Sequence, residues 1–152
     1  MYLIMAWNHL HYEDGTLTLM GTDPPVEKDK LWHTNVTGWV SDEEVVKAYQ
    51  THNVFVFPSL EEGAASVIFE AMASGLAVIT TKMGSAGMIN DGVDGIIVEP
   101  RDAGQIVGAL RWLHDNPDVI EQFGRNARSK IQQYPWERFG DNVVKVLEEM
   151  VE

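Results

Sequence analysis

Three observations predict an α/β fold, a Rossmann-like three-layer αβα arrangement around a mostly parallel sheet. Strand-like and helix-like segments alternate from residue 16 to about residue 115, the pattern of successive βα units. Two short apolar runs, "NVFVFPS" (53–59) and "LAVITT" (76–81), read as strands covered on both faces. Each passes directly into a loop rich in small residues, "EEGAAS" or "KMGSAG". Open α/β sheets bind ligands at such places, beyond the carboxyl ends of their strands.

The elements follow in order. Residues 2–11, "YLIMAWNHLH", carry apolar groups at helical spacing and stop before "EDG". "TLTLMG" (16–21) is a short strand closing on Gly21, and "TDPPVEKDK" is a polar loop marked by its prolines. "NVTGWV" (35–40) is a strand interrupted by Gly38. Ser41 and Glu44 in "SDEE" form a capping box that starts a helix running to about His52. The strand at 53–59 stops at Pro58, and a helix from about Ala64 to Ser74 ends on Gly75, a natural residue for leaving a helix. After the 76–81 strand, a loop with a short helical turn reaches Asn90, "DGVDG" turns the chain, and "IIVEP" (96–100) is the last strand. Helices over about 102–115, 117–133 and 136–151 complete a helical C-terminal part, with Pro117 at the first position of the middle one. The whole reads as one domain over 1–152. It opens on a helix where such sheets open on a strand, so a first strand is expected to be missing.

Composition narrows the function. Lys plus Arg number 11 against 23 Asp plus Glu, a formal charge of −12. That field repels polyanions and argues against nucleic-acid binding, so a phosphate ligand has to be held by local donors. There is no cysteine, which excludes thiol chemistry and favours a cytoplasmic setting. No apolar run reaches the length of a membrane span, and the N-terminus lacks the basic and small-residue features of a secretory signal.

Residues 61–75, "EEGAASVIFEAMASG", carry the chemistry. Gly63, Ala64, Ala65 and Ser66 leave the first N–H groups of the helix unobstructed, and a helix N-terminus presents those donors with partial positive charge, suited to phosphate. A tight helix start chosen for packing explains the same residues equally well. Glu70 interrupts a helix that is otherwise small or apolar, and such a helix is expected to be buried. A buried carboxylate needs a partner. That partner is either a Lys, an Arg or a backbone donor, or the paired hydroxyls of a ribose, as in dinucleotide-binding folds. Glu62 is placed at the mouth of the crevice.

"PSLEEGAASVIFEAMASGLAVITT" resembles the donor-binding segment of GT-B-type retaining glycosyltransferases of group 1, family 4. The family hallmark, two glutamates separated by seven residues, selects Glu62 and Glu70. The flanks agree: "VTGWVSDEEVVKAYQTHNVFVFPS", "DGVDGIIVEPRD", "YPWERFGDNVVKVLEEM" and "TLTLMGTDPP" each resemble a family segment, in family order. The resemblance implies the C-terminal, nucleotide-sugar donor-binding half of a GT-B fold. In that reading Glu70 binds the ribose hydroxyls and Glu62 lies by the donor sugar and supports its transfer. Backbone N–H groups around Gly63, Ala64, Ala65 and Ser66 hold sugar or phosphate oxygens, and Gly38 and Trp39 line the base pocket. The implied reaction moves a sugar from a nucleotide diphosphate donor to an acceptor such as a polysaccharide, lipid or other glycan, with anomeric configuration retained. No cofactor or metal is implied, and the H-x-H of His9 and His11 has no further ligand at metal-like spacing.

The chain departs from the family in three ways. Ala64-Ala65 stands for the usual Phe-Gly and Ala77 for a usual Pro, substitutions that keep the backbone approachable. Gly87 stands where members often carry an acid, which bears on sugar specificity. The family's upstream basic pair has no counterpart; Lys82 is read either as a local substitute or as an ordinary surface lysine. No part of the chain corresponds to the N-terminal acceptor domain, so the chain alone is expected to be inactive, as a fragment or one subunit of a split enzyme. Members often work at the inner face of a membrane, which extends the cytoplasmic expectation to a peripheral one for the full enzyme. Two other readings stay open: half of a sugar-nucleotide epimerase or phosphorylase, and a non-catalytic docking domain that associates, with itself or a partner, through exposed apolar surface.

Overall fold

The computed structural model describes residues 1–21, 23–62 and 65–150, apart from the side chains at 28, 136–139 and 141–143. The order is α1 (Tyr2–Leu10), β1 (Leu17–Met20), a single 3-10 turn at Lys28–Lys30, β2 (Thr34–Gly38), α2 (Asp42–Thr51), β3 (Val54–Phe57), α3 (Ser66–Ser74), β4 (Ala77–Thr81), β5 (Gly95–Val98), α4 (Ala103–Asp115), α5 (Pro117–Ile131) and α6 (Trp136–Glu149). Each strand and each longer helix falls where the pattern predicts it. Two local expectations change. The proline loop contains the 3-10 turn, and the helical turn expected up to Asn90 does not form, residues 82–87 making turns and 88–90 none.

Local chemistry sets the boundaries. The Ser41 hydroxyl accepts from the Glu44 N–H at 3.4 Å while the Glu44 carboxylate accepts from the Ser41 N–H at 2.8 Å, so the capping box is complete. Pro117 opens α5. α3 ends at Gly75 with φ 79°, a conformation that glycine reaches without a Cβ clash. A Cβ on Gly124 of α5 would collide with the Gly75 carbonyl oxygen, so α5 crosses the end of α3 at backbone contact.

All pairings are parallel, as expected, but the sheet is divided. β1 pairs with β2, and β3, β4 and β5 pair in that order as a second, three-stranded sheet. The mostly parallel sheet expected from the sequence is present as these two pieces. No backbone hydrogen bond joins β1 to β3 among the described residues.

The core lies on both sides of β4, whose five residues are all buried. Ala77 and Ile79 face one way, into a cluster with Ala6 and Trp7 of α1, Ile106, Leu110 and Leu113 of α4, and Phe123 of α5. Val78 faces the other way, against Ile68, Ala71 and Met72 of α3 and Ala127 of α5. Each fully buried Ile, Leu or Met side chain contributes about 1.5–3 kcal/mol of transfer free energy. This three-layer packing fixes the carboxyl ends of β3 and β4, and hence the loops that follow them.

Candidate functional site

The loops after β3 and β4 are bound to each other by two buried threonines. The Thr80 hydroxyl donates to the Phe57 carbonyl at 2.8 Å, and the Thr81 hydroxyl donates to the Ser59 carbonyl at 2.6 Å. Thr81 Oγ1 also accepts from the Gly84 N–H at 2.9 Å. Both threonines are fully buried, and buried hydroxyls hold their geometry because an unmade bond there is costly. Gly84 sits so close that an added Cβ would lie 2.6 Å from Thr80 Oγ1. Sequence reading missed these residues. The available signal was a pair of polar residues ending an otherwise apolar strand.

Glu62 is half-buried, and its Oε1 accepts from the Ser59 hydroxyl at 2.9 Å. Ser59 therefore links the acid to the threonine-fastened loops. Gly63 and Ala64 lie outside the described residues. Ala65 is buried and is the N-cap of α3, yet it has no side-chain acceptor for the first-turn N–H groups. Ser66 begins the helix and is exposed.

Glu70 corrects the sequence reading. It is exposed, not buried. Ser66, Glu70, Ala73 and Ser74 share an exposed face of α3, while Ile68, Ala71 and Met72 supply the buried one. The small residues of this helix tolerate solvent as readily as burial, so apolar composition alone does not fix which way a helix faces. Glu70 Oε2 accepts from the Tyr49 hydroxyl of α2 at 3.2 Å. Among the described residues no Lys or Arg lies in ion-pair range of it, so the cation partner left open by the sequence is not found there. Burial pushes the Tyr49 hydroxyl well above the ordinary tyrosine value, and the Glu70 charge and hydrogen bond push the same way. The phenol thus stays a donor, leaving the other carboxylate oxygen of Glu70 without a described partner.

Gly38 closes β2, and Trp39 after it is 86% exposed. Lys82 directly follows β4 and is exposed. These residues stand at strand carboxyl ends, as predicted, but no described side-chain contact joins Trp39 or Lys82 to either glutamate. His9 and His11 are exposed, with His11 at the C-cap of α1. Among the described residues no cluster of three or more metal-ligating side chains forms.

A second missed feature supports the 82–95 loop. Lys130 of α5 donates to the Met88 carbonyl at 2.5 Å and pairs with Asp94 at 3.1 Å. Asp94 is buried, and its second oxygen accepts from the Asn90 N–H at 2.6 Å. This brace ties the loop beyond β4 to the outer helix.

Solved structures with this arrangement include a glycosyltransferase from Rickettsia africae, with TM-score 0.84 and 20% identity over 99% of this chain and 44% of that one. Another is HepE of Anabaena in complex with UDP-glucose, with TM-score 0.83 and 19% identity over 97% of this chain and 44% of that one. At such identities the likeness shows the fold. The C-terminal domain of the group 1 glycosyl transferase LpcC from Francisella tularensis matches with TM-score 0.79 and 25% identity, over 88% of this chain and 77% of that one. In sequence, the sulfoquinovosyl transferase SQD2 of Arabidopsis thaliana is 34% identical over 104 residues, which is 66% of this chain and 20% of the relative. An uncharacterised glycosyltransferase of Methanocaldococcus jannaschii is 29% identical over 126 residues, 82% of this chain and 36% of the relative. The chain thus spans between a fifth and about a third of these relatives. The family model described as "Glycosyl transferases group 1" matches residues 1–116. With its parallel sheets and helix layers and this match over most of its length, the chain belongs to the group 1 glycosyl transferases.

Proposed function

We propose that this chain is the donor-binding domain of a retaining glycosyltransferase that takes its sugar from a nucleotide diphosphate. The observation that carries the reading is Glu70. It stands on the solvent face of α3, holds one donor from Tyr49, and has no cation beside it among the described residues. A carboxylate so placed can accept from both hydroxyls of a ribose. The first turn of α3 supplies uncapped N–H groups for diphosphate or sugar oxygens. In this reading Gly63 and Ala64 act with Ala65 and Ser66 there, Lys82 adds a positive charge, and Gly38 and Trp39 receive the base. Glu62, oriented by Ser59, lies by the donor sugar. During transfer the bond from the anomeric carbon to the phosphate oxygen breaks and an acceptor oxygen bonds that carbon on the same face. The acceptor's proton leaves with the diphosphate.

No bound metal is needed, because N–H donors and a lysine meet the diphosphate. Fixing an acceptor takes a second domain or subunit, since transfer requires both reactants to be held. The purified chain is therefore expected to bind donor without turning it over. Titration calorimetry with UDP, GDP and ADP tests the reading. One of them binds, and Glu70→Ala weakens it by roughly 1.5–3 kcal/mol, the scale of charge-assisted hydrogen bonds. Absence of binding by all three, or binding that ignores the substitution, refutes the assignment.

A further inference from the structure

We infer, on the reading of Glu70 as the ribose acceptor, that Tyr49 is a positioning residue for the donor nucleoside: its hydroxyl holds the Glu70 carboxylate in the orientation that receives the two ribose hydroxyls. The Tyr49 hydroxyl donates to Glu70 Oε2 at 3.2 Å, reaching from α2 to α3. Glu70 stands on the solvent face of its helix, where packing does not select a rotamer. The last torsion of a glutamate, between an sp3 and an sp2 carbon, also has a broad minimum. Ordering such a side chain on binding costs rotamer entropy, and a donor that selects one orientation beforehand removes part of that cost.

The donor itself is held. The Tyr49 ring meets Phe55 edge-on, with centroids 5.7 Å apart, and Phe55 lies nearly parallel to Phe57 at 6.1 Å. All three pack against the buried cluster that contains Ile68, Ala71 and Met72 of α3. Aromatic pairs favour such arrangements, and packed rings keep their planes. Phe55 and Phe57 belong to β3, so the tether runs from the strand through two rings to Tyr49 and on to the acid. Just beyond the same strand stands Ser59, whose hydroxyl holds Glu62. Both glutamates therefore take their orientation from β3, Glu62 through Ser59 and Glu70 through Tyr49.

Ring and hydroxyl have separate tasks. α2 has no fully buried residue, and among the described residues Tyr49 is its contribution to the two core clusters. The apolar body of the ring supplies that attachment, and phenylalanine would supply it equally. The hydroxyl adds little to packing, and its described partner is Glu70. Burial keeps it protonated, so it meets the carboxylate as a donor. An ionised carboxylate offers about four lone-pair positions. With one of them taken at Oε2 the plane of the group is set, Oε1 stays open and Oε2 keeps a second position. Two neighbouring hydroxyls can both be accepted.

Titration calorimetry on the full chain tests this role, using whichever of UDP, GDP and ADP binds and the same nucleotide with a sugar lacking both hydroxyls. The parent chain prefers the ribose form. Tyr49→Phe weakens the ribose form by about three- to tenfold, the worth of one ordinary hydrogen bond, and leaves the other form unchanged. In a Glu70→Ala background, Tyr49→Phe has no further effect. A residue that only propped α2 would weaken both nucleotides alike, with or without Glu70, and that pattern overturns the inference. So does a Tyr49→Phe chain that binds the ribose form like the parent while Glu70→Ala still reduces the ribose preference; the donor reading survives that result. Failure of all these nucleotides to bind, or a ribose preference indifferent to Glu70→Ala, removes the donor reading and the role of Tyr49 with it.

Discussion

Replacing Lys130 by Met isolates the worth of the brace beneath the 82–95 loop. The Asp94 side chain is 3% exposed and that of Lys130 22%, with 3.1 Å between their charges. Removing one partner of a buried pair leaves an uncompensated charge and typically costs ~3–5 kcal/mol. Two features reduce that figure here. Asp94 keeps its 2.6 Å bond from the Asn90 N–H, and the partly open lysine side leaves water a route to the carboxylate. Against this, the Met88 carbonyl loses its donor, which adds ~0.5–1.5 kcal/mol. The expected cost is about 2–3 kcal/mol, a fall in Tm of roughly 4–12 °C for a domain of this size. Urea titration followed by tryptophan fluorescence reads it directly, provided the transition is reversible and two-state. Adding Asp94→Asn should recover a large part, because a neutral amide can still accept from Asn90 without leaving a stranded charge. Lys130→Met within ~0.5 kcal/mol of the parent, the range of ordinary surface changes, would refute the reasoning. So would a double variant no better than the single one.

Two further outcomes are expected. Thr81→Val keeps shape but deprives the Ser59 carbonyl of a donor and the Gly84 N–H of an acceptor, so stability should fall by ~2–4 kcal/mol in thermal unfolding, from two buried groups at ~1–3 kcal/mol each with partial water rescue. Tyr49 gives a pH signature. Its folded pKa is raised, chiefly by burial and then by Glu70, so the unfolded chain loses this proton near pH 10 while the native one keeps it. The contribution is complete below about pH 10 and declines as pH rises toward the folded value. Ultraviolet titration should show two of the four tyrosines ionising late, Tyr12 being raised by burial as well, and Tyr49→Phe should remove the later of the two steps.

Local rules made much of the fold legible. Ser41 and Glu44 announce α2, Gly75 ends α3, and Pro117 starts α5, because caps and breakers act within a few residues. The apolar runs at 54–57 and 77–81 were equally plain. Which strands pair was not, since nothing in β1 or β3 specifies which edge each will meet. At the candidate site, the family resemblance singled out Glu62 and Glu70 by their spacing. Their surroundings escaped notice because the partners are remote: Tyr49 lies 21 residues from Glu70, and Asp94 lies 36 from Lys130. Alanine and serine on α3 carry no preference strong enough to tell a wet helix face from a dry one, which is why Glu70 was expected inside.

The crossing of α5 over the end of α3 has a consequence for recognition. With the Gly124 backbone against Gly75, α3 is stopped at its far end like a piston against a wall. The acid one turn before that stop cannot ride up or down to suit a ligand. In the proposed reading, a ribose that reaches it meets a carboxylate at a fixed height, and little conformational freedom remains to be lost at that end. A methyl group inserted at Gly124 would push that backbone contact apart, and in the proposed reading it would weaken ribose binding at Glu70 without touching any ligand atom.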